Sequence, residues 1–234
     1  ISKLALEADF FINLGLLRTH FVTAFSGAMK NLMGCIFYES KMEFHKSRRL
    51  EHFIALLGTT VRNDLILVDG LYAQQQAPST RRVHHTDLVL ASTDMLDNDI
   101  VCANLVGIDP TEVKHLVEYA TLTGRSLELA SVQVKGERVE DVKKPLPWVW
   151  EWPSEMLSRY GVKGLTVRQP GISLCSSGYT AVLVVLPEFL RQNRGATLDN
   201  AEFCCGWLPQ AREGSKTVIL AGDCAIEAHK GLRP

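Results

Sequence analysis

The chain has 234 residues, 46% of them hydrophobic, and a formal net charge of -1. Acidic and basic residues are interleaved along its whole length, which argues against nucleic acid or an anionic membrane as a partner. The longest apolar run, residues 181–186, is far shorter than the ~20 residues that span a bilayer, so we expect a soluble protein. Six cysteines spread through a chain of this size favour a reducing, cytoplasmic location.

The first part of the chain alternates apolar strands with helices. The pattern predicts strands at 9–14, 65–68 and 88–91, helices at 23–35, 48–57, 94–105 and 111–122, and an edge strand at 127–134. Strands that are apolar on both faces and alternate with helices are typical of a mainly parallel sheet with helices on both faces. We therefore predict an α/β fold for residues 1–142.

Residues 143–153 contain three Pro and three Trp, which neither a helix interior nor a central strand tolerates. This composition predicts a linker. Beyond it, residues 154–234 are predicted to form a smaller α/β part that contains cysteines, with helices at 154–160 and 178–190 and strands at 164–167, 201–204 and 217–220.

Polar residues follow the predicted strands of the first part, where parallel sheets bind their ligands. We predict catalytic roles for His20, Lys30, His45, Asp69 and Asp94, and ligand contacts for Asn13, Arg18, Thr19, Asn31 and Asp99. Such cations, carboxylates and imidazoles bind anions, transfer protons or ligate metals. The alternative is structural, since a strand-end residue such as Asp94 is also a common helix cap. Spacing alone does not decide between the two.

Several short motifs occur in a fixed order in this part. They are ADFFIN (8–13), RTH (18–20), KNLMG (30–34), DLILVDG (64–70) and ASTDMLDND (91–99). The combination, over about residues 5–135, resembles the family called domain of unknown function 362. Arg18 stands where that family has Lys. The positive charge is kept, but a planar guanidinium replaces the compact ammonium group.

The resemblance carries few functional implications. Family members usually have an N-terminal region with further strands that this chain lacks, which implies a truncated sheet or a fold completed by another chain. The family is often described as related to iron–sulfur proteins, but it implies no general activity. The closely spaced Cys run found in some members is absent here.

Four of the six cysteines lie in the last 60 residues: Cys175, Cys204, Cys205 and Cys224. Cys175 precedes a predicted helix, whose N-terminus favours a thiolate. Four thiolates would hold an iron–sulfur cluster or a zinc ion, although the spacings match neither the ferredoxin nor the zinc-ribbon pattern. The alternatives are a redox-active thiol or disulfide, and buried structural cysteines. Adjacent residues on a regular strand, such as Cys204 and Cys205, point to opposite faces.

Three functional hypotheses follow from these patterns. The first is a redox or metal protein that holds a cluster or metal through the C-terminal cysteines and meets a redox partner. The second is a cluster-free enzyme or sensor of a small anionic ligand that uses Arg18 and Lys30 for the negative charge. The third is a non-catalytic subunit, either a homo-oligomer or bound to a partner chain. The sequence names no reaction and no substrate.

Overall fold

The computed structural model describes residues 1–20, 22–46, 49–77, 82–148, 153–168, 181–205 and 214–230. The chain divides into two compact units, the first formed by residues 1–44 and 49–149 and the second by residues 45–48 and 150–234. Both contain a sheet and helices, so the predicted α/β class is confirmed.

The elements up to residue 148 surround a four-stranded sheet with the order β2-β1-β3-β4. They are α1 (Lys3–Glu7), β1 (Ile12–His20), β2 (Ala24–Ser26), α2 (Ala28–Asn31), α3 (Tyr38–Lys46), α4 (Leu50–Thr60), β3 (Leu65–Ala77), β4 (Val83–Ser92), α5 (Met95–Leu105), α6 (Lys114–Thr123) and α7 (Val139–Val142). A 3-10 turn, Leu32–Cys35, continues α2.

This sheet is mixed. Strands β1 and β3 pair in parallel, but β2 and β4 pair antiparallel with their neighbours. One of its three strand pairings is parallel, so the sheet predicted as mainly parallel for residues 1–142 is mixed, whereas both pairings of the second sheet are parallel. The sequence analysis did not predict that β3 and β4 form one long hairpin. Their apolar runs, from which the strands were predicted, cover only part of each strand, and the backbone pairing continues through polar residues.

Two predicted elements of the first part are wrong. Residues 24–26, assigned to a helix, form β2, because the chain reverses after His20 and Ala24 takes a φ of 61°. Residues 127–134, predicted as an edge strand, contain only a 3-10 turn at Leu129–Ser131. Alternating polarity there reflects partial packing onto the core rather than strand pairing.

The first core lies on one face of the four-stranded sheet. Alternate residues of β1 are buried and exposed, so the described helices cover one face of this sheet rather than the predicted two. The largest fully buried side chains at this interface are Leu17, Phe25, Met29, Ile54, Ile66, Leu96, Ile100 and Leu116. The helices α4, α5 and α6 supply one side of this core and the inner face of the sheet supplies the other.

The start of the predicted linker packs against the first core. The N–H groups of Lys144 and Leu146 donate hydrogen bonds to the carbonyl oxygens of Leu105 (2.7 Å) and Val106 (2.8 Å). Leu146 is buried and Trp148 packs against the same core. Residues 149–152 of the predicted linker lie outside the described residues.

The second unit contains a parallel sheet with the order β5-β6-β7. Its elements are α8 (Pro153–Tyr160), β5 (Lys163–Val167), a π-helical stretch (Ala181–Val185), α9 (Leu186–Gln192), β6 (Thr197–Cys205), β7 (Thr217–Ala221) and α10 (Asp223–Ala228). Its core brings together Leu165 and Phe203 of the sheet with Leu186 and Leu190 of α9.

Among the described residues, no helix combines the length and the apolar character that crossing a bilayer would require.

The turn into α2 tolerates no side chain at Gly27. A Cβ there would collide with the Asp99 carboxylate and would lie 2.6 Å from the Phe25 ring, both of which are buried. We expect Gly27→Ala to lower the free energy of unfolding by about 1–3 kcal/mol, the usual effect of overpacking, in urea denaturation. Gly34→Ala is the matched control, because a Cβ at Gly34 meets no atom within 4 Å and should leave stability unchanged or slightly higher. Equal losses in both variants would contradict this account.

Candidate functional site

Two amide side chains, the buried Asn13 and the exposed Asn31, join the start of β1 to α2. Asn13 donates through Nδ2 to the carbonyl oxygen of Ala28 (2.9 Å) and to Oδ1 of Asn63 (2.8 Å). Asn31 donates through its own Nδ2 to Oδ1 of Asn13 (2.8 Å) and to the carbonyl oxygen of Leu14 (2.9 Å). The two predicted ligand-binding amides, Asn13 and Asn31, thus fix α2 against the edge of β1.

Thr19 and His20 hold the end of β1. Thr19 is fully buried, and its Oγ1 accepts a hydrogen bond from the N–H of Gln76 at 2.8 Å. His20 Nδ1 accepts from the N–H groups of Val22 (3.1 Å) and Thr23 (3.4 Å), which closes the turn toward β2. Because Nδ1 is an acceptor, the proton of a neutral His20 lies on Nε2.

Asp99 of α5 binds the first turn of α2. Its side chain is inaccessible to solvent; Oδ1 accepts from the N–H of Ala28 (2.7 Å) and Oδ2 from the N–H of Met29 (2.9 Å). Asn98 Nδ2 donates to the same Oδ1 at 2.9 Å. Burial raises the pKa of Asp99 to about 6, against the lowering effect of these hydrogen bonds. Both oxygens accept hydrogen bonds, as those of an ionised carboxylate do, and they fix the first turn of α2.

Lys30, on α2, lies near enough to Arg18 for their two charges to interact. Lys30 and Arg18 are both half-buried. Burial and then the Arg18 charge lower the pKa of Lys30 to about 7, and burial also lowers the pKa of Arg18. Among the described residues, no carboxylate lies within ion-pair distance of either cation, and the buried Arg18 Nε has no hydrogen-bond partner.

His115 of α6 completes this group. Its side chain is fully buried, and neither Nδ1 nor Nε2 has a hydrogen-bond partner within the described part of the chain. Burial and then the Lys30 charge lower the pKa of His115 to about 3, so the ring is neutral. We call Arg18, Lys30 and His115 the cationic cluster. The sequence analysis missed His115, although a histidine beside the apolar residues Leu116 and Ala120 of a predicted helix was a usable signal.

The predicted catalytic carboxylates lie elsewhere in the first unit. Asp94 caps α5 by accepting from the N–H of Asp97 (2.9 Å), and Arg125 donates to Asp94 and to Asp97, each at 2.6 Å. Asp69 is exposed on β3, where its Oδ1 accepts from the N–H of Leu71 at 2.9 Å. Neither carboxylate takes part in the contacts of the cationic cluster.

His45 lies near the end of α3 and belongs to the second compact unit.

The C-terminal thiols that the structure describes do not fit a four-thiolate site. Cys204 and Cys205 are both buried on β6, and Cys205 packs in the second core while Cys204 shares the opposite face with Glu202. Burial, and then the Glu202 charge, raise the pKa of Cys204 to about 11, which disfavours the thiolate that a metal requires. Cys224 lies in the first turn of α10, and Cys175 is outside the described residues.

The rest of the described chain contains no cluster of metal ligands either. Within the described ranges, no group of three or more His, Cys, Asp or Glu side chains is arranged to hold a metal ion. Glu202, the buried carboxylate beside Cys204, instead pairs with Arg168 at 2.9 Å.

Comparison with known proteins bears on the first unit. Residues 1–104 match the family model "Domain of unknown function (DUF362)". The resemblance predicted from the motifs is confirmed. Arg18, Lys30 and Asp99 lie inside the DUF362 match, whereas His115 lies beyond its end.

One curated relative is the "Thylakoid-associated protein sll1697" of Synechocystis sp., which is 27% identical over 119 residues. The alignment covers 48% of this chain and 37% of that protein, so the chain spans little more than a third of the relative's length. No solved structure matches the chain.

Removing the Asp99 carboxylate should destabilise the first unit. Asp99→Ala leaves the N–H groups of Ala28 and Met29 without acceptors in a buried site, so we expect a loss of at least about 2 kcal/mol in urea denaturation. Asp97→Ala, on the same helix, removes a partly exposed ion pair with Arg125 and should lose less than about 1 kcal/mol. A smaller loss for Asp99→Ala than for Asp97→Ala would show that the cap does not hold α2.

Proposed function

We propose that the first unit binds a small anion, with a carboxylate or phosphate group, at the cationic cluster. The observation that carries the proposal is the pair of half-buried cations, Arg18 and Lys30, for which the described residues supply no carboxylate. A negatively charged ligand would supply the missing partner. This is the second of the hypotheses drawn from the sequence, with His115 in place of the carboxylates Asp69 and Asp94.

The energetics favour an anion. A charge removed from water without a partner is destabilising by several kcal/mol, and a lysine relieves this by losing its proton. The lowered pKa of Lys30, about 7, is the result expected for such a site in the absence of its ligand. An anion that pairs with Lys30 raises this pKa again, so binding near neutral pH takes up a proton.

The three side chains offer complementary chemistry. Arg18 provides a planar set of donors suited to two oxygens of a carboxylate or phosphate. Lys30 adds a point charge, and neutral His115 offers one N–H donor and one acceptor. A lysine that titrates near pH 7 also exchanges protons readily, so the same geometry would support proton transfer to a bound ligand.

A cluster or metal held by the C-terminal cysteines receives less support. The raised pKa of Cys204 and the opposite orientations of Cys204 and Cys205 work against a shared ligand set. The redox hypothesis therefore depends on Cys175 and its neighbours.

Thermal unfolding of the full chain with inorganic phosphate or acetate tests the proposal, at an ionic strength held constant with NaCl. We expect either anion to raise the melting temperature. Arg18→Gln and Lys30→Met should weaken binding roughly 10- to 100-fold, the effect of losing one charge-assisted hydrogen bond.

Lys135→Met is the matched control, because Lys135 is exposed on a loop of the same unit. It should respond to phosphate as the wild type does. An equal response in all variants, or no response of the wild type to either anion, would reject the site.

Stability without ligand should depend on pH through Lys30. Its pKa is lower in the folded state, about 7, than its ordinary value of 10.5. Between pH 7 and 10.5 the unfolded chain binds more protons than the folded chain, so the free energy of unfolding rises with pH. The cost of burying the Lys30 charge is therefore largest below about pH 7. We expect Lys30→Met to stabilise the ligand-free protein, more at about pH 6.5 than at about pH 9.5, in urea denaturation. A gain independent of pH would mean that Lys30 is not desolvated, and Lys135→Met again serves as control.

A further inference from the structure

The amine of Lys30 lacks both full hydration and an acidic partner. Lys143, Lys216 and Lys230 are exposed, and each of them pairs with a carboxylate. Lys30 is half-buried, and among the described residues no carboxylate lies within ion-pair distance of its Nζ. Nothing in that part of the chain therefore holds Lys30 as an ammonium group.

A partly buried lysine without an acidic partner gains nucleophilic character. Burial and the nearby Arg18 charge both favour the neutral amine, the form whose nitrogen lone pair attacks carbon. The pKa of Lys30, lowered from 10.5 to about 7, leaves about half of these side chains as free amine at neutral pH. An ordinary exposed lysine has less than about a thousandth in that form.

The two neighbours of this amine supply what a ligand with a carbonyl group and a carboxylate needs. Arg18 lies near enough for its charge to act on Lys30, and its buried Nε has no hydrogen-bond partner among the described residues. A guanidinium of this kind is suited to a carboxylate. His115 also lies within reach of the Lys30 charge, and both of its buried ring nitrogens lack a partner in the described part of the chain. Because a neutral imidazole both accepts and donates a proton, His115 can pass a proton from the amine to an oxygen.

We propose that Lys30 forms an imine with a small 2-oxo acid whose carboxylate binds Arg18. The reaction rests on the anion binding proposed above as the function, and it adds to that site a class of ligand and a covalent bond. In a 2-oxo acid the carboxylate is bonded directly to the electrophilic carbonyl carbon. This suits two side chains that are close enough for their charges to interact.

The bond changes balance without an oxidant or a reductant. The lone pair of Lys30 Nζ attacks the carbonyl carbon, and the π electrons of the C=O bond move to the oxygen. That oxygen takes one proton from Nζ, through His115, and a second proton from water. The C–O bond then breaks, a water molecule leaves, and a protonated C=N bond remains. Its positive charge lies beside the carboxylate of the same ligand.

Reductive trapping on the full chain tests the proposal. The protein is incubated near neutral pH with pyruvate and sodium cyanoborohydride, which converts an imine to a stable secondary amine, and the labelled peptide is identified by mass spectrometry. We expect one adduct per chain, at Lys30, formed at least about 10-fold faster than at any exposed lysine. Adducts formed equally fast at Lys30 and at exposed lysines would overturn the proposal.

A variant of Arg18 tests the recognition of the carboxylate. Arg18→Gln should slow the trapping of pyruvate by at least about 10-fold more than the trapping of acetone, which has a carbonyl group but no carboxylate. Lys135→Met is the matched control and should be trapped at Lys30 as fast as the wild type by either compound, because Lys135 is exposed on a loop. Equal slowing with pyruvate and acetone would show that Arg18 does not bind the carboxylate.

The imine and the anion site fail in different ways. We expect acetate, at constant ionic strength, to compete with pyruvate and slow the trapping at Lys30. If acetate or phosphate raises the melting temperature but pyruvate gives no adduct at Lys30, the imine is wrong and the anion site stands. If pyruvate labels Lys30 while acetate neither slows the trapping nor stabilises the protein, the amine reacts without an anion site and both proposals are wrong.

Discussion

The carboxylate of Asp99 organises the first unit, because it binds the start of a helix that has only four residues. A helix this short does not form on its own, since nucleation fixes several residues for one hydrogen bond. Asp99 satisfies two of the N–H groups at its start, and Asn13 fixes the carbonyl oxygen of Ala28 from the side of β1. This contact requires glycine at position 27, because any side chain there would displace the carboxylate. Lys30 therefore occupies its position through contacts made by residues far away in the chain.

That arrangement is electrostatically unfavourable in the protein without a bound anion. Lys30 and Arg18 repel each other, and both lose hydration without gaining a carboxylate among the described residues. Purely structural cations are normally paired when they leave water. Unpaired ones are typical of binding sites, where the ligand supplies the compensating charge. The energy of the Asp99 cap and of the surrounding core is what allows the cationic cluster to persist.

Sequence patterns predicted the class of the fold and the resemblance to DUF362, but not the roles of most polar residues. The ADFFIN and KNLMG motifs contain Asn13 and Asn31, and the structure shows that these two side chains join β1 to α2. The sequence could not distinguish their separate roles, because the same residue types hold the backbone in place and bind ligands. Asp99 illustrates this: only the coordinates show that both its oxygens accept from α2.

His115 was missed for a related reason: its apolar neighbours Leu116 and Ala120 indicate burial, but nothing local shows that its ring has no hydrogen-bond partner among the described residues. Its environment is created by Lys30, some 85 residues earlier in the chain. The C-terminal cysteines show the reverse case, in which a pattern visible in the sequence suggested a shared site. Their enrichment near the C-terminus is visible in the sequence, but the alternation of β6 separates Cys204 from Cys205, a consequence of strand geometry that composition does not carry.

The prediction of helices on both faces of the first sheet rested on strands that are apolar on both sides, and that pattern is real. Ile12, Leu14 and Leu16 alternate with buried residues, and in a self-sufficient antiparallel ribbon these positions would be polar. The apolar character of these positions was therefore read correctly from the sequence, but none of the described helices of this unit covers them.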